Sequence, residues 1–118
     1  MKWWEHALKD IDTAKILYKI KKYDYSSFLC QQAAEKALKT LLLKKNYELI
    51  KTHDLVLLAR KLNAPEYIIQ LCKYLTPVYV ETRYPDSGEK KFKQFTSKET
   101  KQDLESMEKI VKWVKENL

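Results

Sequence analysis

The chain has 118 residues, 45% hydrophobic and 33% charged, which is material for one soluble domain and too little for two cores. Lys and Arg outnumber Asp and Glu by 23 to 16, for a formal charge of +7, and all but two of the basic residues are lysine. Glycine occurs once, at Gly88, against a usual share of roughly 7%. A chain this poor in glycine lacks the turns of a sandwich or barrel and cannot build a P-loop or dinucleotide fingerprint. An all-α fold is expected.

The first periodic stretch is Trp3 to Lys21, where Trp4, Ala7, Leu8, Ile11, Ala14, Leu17 and Tyr18 keep amphipathic spacing. Trp3 and Trp4 lie about 100° apart on a helix, so one of them is a candidate for an interface. The second stretch, Tyr25 to Asn46, is broader. Counting from Leu29, its apolar residues Ala33, Ala37, Cys30, Leu41, Ala34, Leu38 and Leu42 fill an arc of roughly 220°. Such a helix packs against several others. Its polar strip gathers Gln32, Glu35, Lys36 and Lys39.

After a break at Asn46, Thr52 or His53 is expected to cap a third helix, His53 to Leu62, with Asp54 against its N-terminal dipole. Asn63-Ala64-Pro65-Glu66 restarts a fourth helix carried by Ile68, Leu71, Cys72, Leu75, Val78 and Tyr79, with a kink imposed by Pro77. Arg83-Tyr84-Pro85-Asp86-Ser87-Gly88 ends it as a turn, and a basic loop with Lys90, Lys91, Lys93 and then Lys98, with Phe92 and Phe95 between, follows. The last helix starts at Ser97 or Thr96 on a stripe of Leu104, Met107, Ile110 or Val111, Val114 and Leu118. The expected architecture is one domain, 1–118, an up-and-down antiparallel bundle of about five helices.

The residues exclude more chemistry than they suggest. The serines sit in no elbow motif, and two Cys and two His at no ligand spacing make no metal site. Cys30 and Cys72 read as buried free thiols. Charged pairs such as Glu5 with Lys9 and Glu105 with Lys109 read as solvated helix faces. No signal-peptide apolar region and no apolar run near the ~18 residues of a membrane span occur, so a cytoplasmic protein without a membrane partner is expected. No catalytic set, metal or cofactor is expected.

Four segments in order carry a resemblance: the Trp/Ala-patterned first helix; Phe28-Leu29-Cys30-Gln31-Gln32-Ala33-Ala34-Glu35-Lys36-Ala37-Leu38-Lys39; Thr52-His53-Asp54-Leu55; and Tyr79-x-x-x-Arg83-Tyr84-Pro85-Asp86. Over nearly its whole length the chain resembles the HEPN family, the higher eukaryotes and prokaryotes nucleotide-binding domain. The resemblance implies a helical bundle, usually a homodimer, found alone or beside a minimal nucleotidyltransferase, in prokaryotes often as a toxin–antitoxin pair. Some members of the wider superfamily are metal-independent ribonucleases that use an Arg followed four to six residues later by a His. Neither histidine here follows an arginine at that spacing: His6 has none before it, and His53 precedes both Arg60 and Arg83.

Seven residues are candidates for nucleotide or RNA binding: Arg83, Tyr79, Lys36, Lys39, His53, Lys90 and Lys91. Arg83 supplies a planar fork suited to phosphate, or a structural pair for Asp86 or Glu81. Tyr79, one turn earlier, could stack on a base or sit half-buried in the core. His53 is a ligand contact, a base, or a satisfied partner at a helix start. Lys36 and Lys39 line a basic cleft if their strip faces the Arg83 turn, and a solvated face otherwise. Lys90 and Lys91 mix with aromatics as in single-strand binders, or form a plain basic loop. Tyr84, Pro85 and Asp86 are assigned to fixing the turn. The expected function is a non-catalytic dimeric nucleotide- or RNA-binding module that acts with a nucleotidyltransferase. The alternatives are a divergent ribonuclease built on His53 and Arg83, and a purely structural oligomerisation module.

Overall fold

A computed structural model of the chain describes residues 2–79 and 95–118. Five helices follow one another among these residues: α1 (Lys2–Lys19), α2 (Tyr23–Lys44), α3 (Leu55–Lys61), α4 (Glu66–Leu75) and α5 (Ser97–Glu116). They form the expected all-α up-and-down bundle, with no strand among the described residues. Arg83, Tyr84, Pro85, Asp86, Lys90 and Lys91 lie outside the described residues.

How a chain with one glycine reverses direction is settled by three other residues. Lys21, Asn46 and Asn63 have φ of 64°, 60° and 55°, the left-handed geometry that glycine usually supplies at a helix end. At each, paired backbone bonds close the last turn. Lys22 N–H donates to the Leu17 carbonyl at 2.8 Å and Lys21 N–H to that of Tyr18 at 3.1 Å. The same pattern joins Tyr47 to Leu42 and Asn46 to Leu43, then Ala64 to Ala59 and Asn63 to Arg60. These are Schellman motifs, and they satisfy carbonyls that a helix end otherwise leaves open. Asparagine tolerates this conformation through its short polar side chain. Lysine has no such help, so Lys21 ends α1 two residues before the periodicity does.

The wide apolar arc of the second helix is explained by its place in the bundle. α2 packs against α1, α3 and α5 at once. Thirteen of its residues are buried, Leu38, Leu41 and Leu42 among them, each worth about 1.5–3 kcal/mol on removal from water. Ala33, Ala34 and Ala37 of α2 and Ala7 and Ala14 of α1 are fully buried, and their small side chains let the helices approach closely. On α5, Leu104, Met107, Ile110, Val111 and Val114 all point inward, whereas Leu118 is exposed.

Polar bonds fix the start of α2. Ser26 Oγ donates to the Ala14 carbonyl at 2.8 Å, and Ser27 Oγ donates to Asp103 Oδ2 at 2.7 Å. Thr100 Oγ1 donates to the Tyr23 carbonyl at 3.2 Å. Both cysteines are free and buried. Burial pushes both thiols up, Cys72 to about 12 with a smaller effect from Asp54, and Cys30 further with the help of Asp103 and Glu108.

The third helix is capped differently from the expectation. Asp54, rather than Thr52 or His53, is its N-cap: its carboxylate accepts from Val56 N–H at 2.9 Å and Leu57 N–H at 3.4 Å. A charged acceptor serves two open amides where a hydroxyl serves one. Thr52 Oγ1 instead accepts from Asp54 N–H at 3.1 Å. At Pro77 the helix breaks rather than kinks: α4 ends at Leu75, Thr76 caps it, and residues 78–79 are helical again. Thr76 Oγ1 accepts from Leu55 N–H at 3.1 Å, which ties that break to the start of α3. Thr96 and Glu99 close a capping box at the start of α5. No helix of the described residues is long and apolar enough to cross a membrane.

Candidate functional site

Gln31, Glu35 and Lys39 follow each other at four-residue steps along one face of α2, where side chains one turn apart meet. Glu35 is only 4% exposed, and a carboxylate this deep requires partners for both oxygens. Oε2 accepts from Lys39 Nζ at 3.0 Å. Oε1 lies 2.9 Å from His53 Nδ1 and accepts from Gln31 Nε2 at 3.3 Å. Gln31 Nε2 also donates to the His53 carbonyl at 3.0 Å, which pins the backbone just before Asp54. Gln32 Nε2 donates in turn to Gln31 Oε1 at 2.7 Å.

Because a carboxylate only accepts, the proton on the facing ring nitrogen of His53 sits on Nδ1. Nε2 then has no hydrogen-bond partner among the described residues, and the His53 side chain is half exposed. The ring is held from a second side. It stacks on Tyr79 with centroids 4.0 Å apart and planes within 13°, and Tyr79 is braced in turn by Phe28 at 6.1 Å. On the other flank, Lys39 Nζ stands 5.4 Å over the Trp3 ring, a cation–π contact made by a nearly buried ammonium. The outcome is an imidazole fixed in tautomer and orientation, with one nitrogen presented outward. Neutral, such a group accepts from a hydroxyl or takes up a proton at Nε2; as the imidazolium it donates from Nε2 to an anion.

Three of the sequence candidates therefore meet here: His53, Lys39 and Tyr79. Lys36 points elsewhere, into a 2.6 Å ion pair with Asp10 of α1. Glu35 and Lys39 of the α2 polar strip are buried, so that part of it is not the solvated face considered for it; the other reading, a basic cleft beside the Arg83 turn, involves a residue outside the described ones. Glu35, Gln31 and Trp3 belong to the site and were not among the candidates. One signal was available for Gln31. It falls at about 200° on the helix projection, between Leu38 and Leu42 and inside the apolar arc. A polar residue at such a position needs a buried partner.

The family model for the HEPN domain matches residues 1–117. The chain belongs to the HEPN family. Among solved structures, the HEPN bundle superposes on TT1696 from Thermus thermophilus with a TM-score of 0.90, at 29% identity over 99% of this chain and 96% of that one. It is also similar to ST0689, an archaeal HEPN homologue, with a TM-score of 0.83 and 29% identity over 98% of this chain and 93% of the other. A HEPN domain protein from Thermotoga maritima shares the fold at 18% identity, with a TM-score of 0.77 over 98% and 96% of the two chains. No curated protein matches the HEPN chain significantly.

Proposed function

We propose that this HEPN protein is a non-catalytic binding module for a nucleotide or RNA, that it works as a homodimer in the cytoplasm, and that a minimal nucleotidyltransferase is its partner. The observation that supports the reading is the His53 imidazole itself. Glu35 and Tyr79 hold it in one orientation, and its half-exposed ring, as the imidazolium, offers the Nε2 proton to a phosphate oxygen. The chain as a whole carries +7, which favours polyanions at long range. A bound base would stack near the Tyr79 ring, and stacking of this kind is worth about 1–3 kcal/mol per base.

Calorimetric titration of the purified chain with nucleotides and short single-stranded RNA tests the reading, together with pull-down from native cells. Saturable binding that weakens about tenfold in His53→Ala supports it, in line with the loss of a charge-assisted bond. A strict monomer that binds no nucleotide and captures no partner would sink it.

One observation favours a second reading. A carboxylate on Nδ1 with Nε2 presented outward is the arrangement that makes histidine a general base. If the chain cleaves RNA, single-turnover cleavage is lost in His53→Ala and reduced in Glu35→Gln. Cleavage that survives both changes belongs to a contaminant.

A further inference from the structure

An open cavity of about 320 Å³ lies between the start of α1 and the middle of α2, lined by Lys2, Trp3, His6 and Lys36. Its wall is an indole, and among the described residues its lining side chains include two amines and an imidazole but no acid. Lys2 and His6 stand one turn apart on α1, and both are exposed. Lys36 is partly offset by Asp10 at 2.6 Å, while Lys2 has no ion-pair partner among the described residues.

Trp3 is half-buried yet does not belong to the core, whereas Trp4 packs against it. What holds Trp3 is Lys39, whose ammonium stands 5.4 Å over the ring and is locked by Glu35 at 3.0 Å. Lys39 does not line the cavity, so its ammonium holds the indole without being part of the cavity wall. An aromatic wall fixed in this way, with cationic groups at its rim, selects a flat ring that carries a negative charge. Size narrows the class further. The volume is near the lower end of the roughly 300–1,000 Å³ of small-molecule sites, which suits one or two fused rings. The larger groove of about 600 Å³ between α1 and α5 mixes Glu105 and Glu108 with its lysines and carries no comparable sign.

We propose that this cavity binds a small planar aromatic anion, the ring stacked on Trp3 and the carboxylate or phosphate held by Lys2 with His6 and Lys36. The cavity shares Trp3 with the His53 cluster, but His53 does not line it, and the proposal does not rest on the function proposed for that cluster.

The test uses the full chain with Trp4→Phe and Trp113→Phe, so that Trp3 is the sole fluorophore of its type. Benzoate and phenyl phosphate are titrated as the two anionic forms, with benzamide as the neutral ring and inorganic phosphate as the anion without a ring. Saturable quenching by an aromatic anion, absent with benzamide and inorganic phosphate, is the expected result, and the stronger of the two anions names the headgroup. Calorimetry should show affinity about tenfold weaker in Trp3→Leu and several-fold weaker in Lys2→Glu, a change at an exposed position that leaves folding intact. Equal quenching by benzamide, affinity indifferent to Lys2→Glu, or no saturable response to either anion overturns the proposal. His53→Ala removes no group that lines the cavity, so the aromatic anion still binds that variant when the response to nucleotide is lost, and the two readings fail separately.

Discussion

Replacing Glu35 by glutamine should destabilise the fold far more than its conservative chemistry suggests. Glu35 and Lys39 have side chains only 5% and 8% exposed and pair at 3.0 Å. Removing the negative partner leaves an ammonium buried without compensation, a loss of about 3–5 kcal/mol. The remaining amide oxygen can still accept from Lys39, so the lower end, about 3 kcal/mol, is expected. For a chain of this size that corresponds to roughly 12 °C in Tm. Lys39→Met is the gentler change, about 1–2 kcal/mol, because Glu35 keeps its bonds to Gln31 and His53. The double variant Glu35→Gln/Lys39→Met removes both charges and keeps an acceptor for Gln31 and His53, so it comes within about 1 kcal/mol of the parent. Urea unfolding followed by circular dichroism measures all four proteins, and the cycle yields a coupling of roughly 3 kcal/mol. A Glu35→Gln protein within about 0.5 kcal/mol of the parent, or a double variant that is simply additive, would refute the claim that this pair is dehydrated.

Two further outcomes concern stability alone. Lys21 holds φ at 64° without a glycine's freedom, so Lys21→Gly should raise stability by up to about 1 kcal/mol in thermal melts; a loss would show that the lysine side chain contributes more than its backbone costs. The Cys72 thiol has an ordinary value of 9.0 and is pushed up to about 12 by burial. The native state keeps this proton while the unfolded chain releases it, so the stabilisation is complete below about pH 9 and is lost progressively toward pH 12. Cys72→Ala should flatten that alkaline decline, and iodoacetamide should label both cysteines only after unfolding. Rapid labelling of the native protein would contradict the burial.

Where the fold was legible, the signal was periodic and local. Trp4 through Tyr18, Leu104 through Val114 and the 220° arc of α2 each repeat at helical spacing, and burial of those stripes is what makes the helices pack. Pro77 and the Asn63-Ala64-Pro65-Glu66 restart are breaks written in backbone chemistry. The arc even announced that α2 would be surrounded. The ends were harder, because a left-handed lysine leaves no compositional trace and Asp54 competes with two neighbouring candidates for one cap.

The candidate site depended on contacts that no local pattern encodes. His53 was a lone histidine at a helix start, and Glu35 was one residue on a polar strip. Their meeting is set by the crossing of α2 with the segment that leads into α3, and Tyr79 arrives only because the chain breaks at Thr76-Pro77 and turns back toward Phe28. Sequence alone therefore determined a helical bundle of the HEPN family, since composition, spacing and motif order are properties of the chain itself. Tertiary structure decided which polar residues are dehydrated. That is a property of helix crossings, and it turns Glu35 from a surface acid into the buried anion on which Lys39, His53 and Gln31 converge.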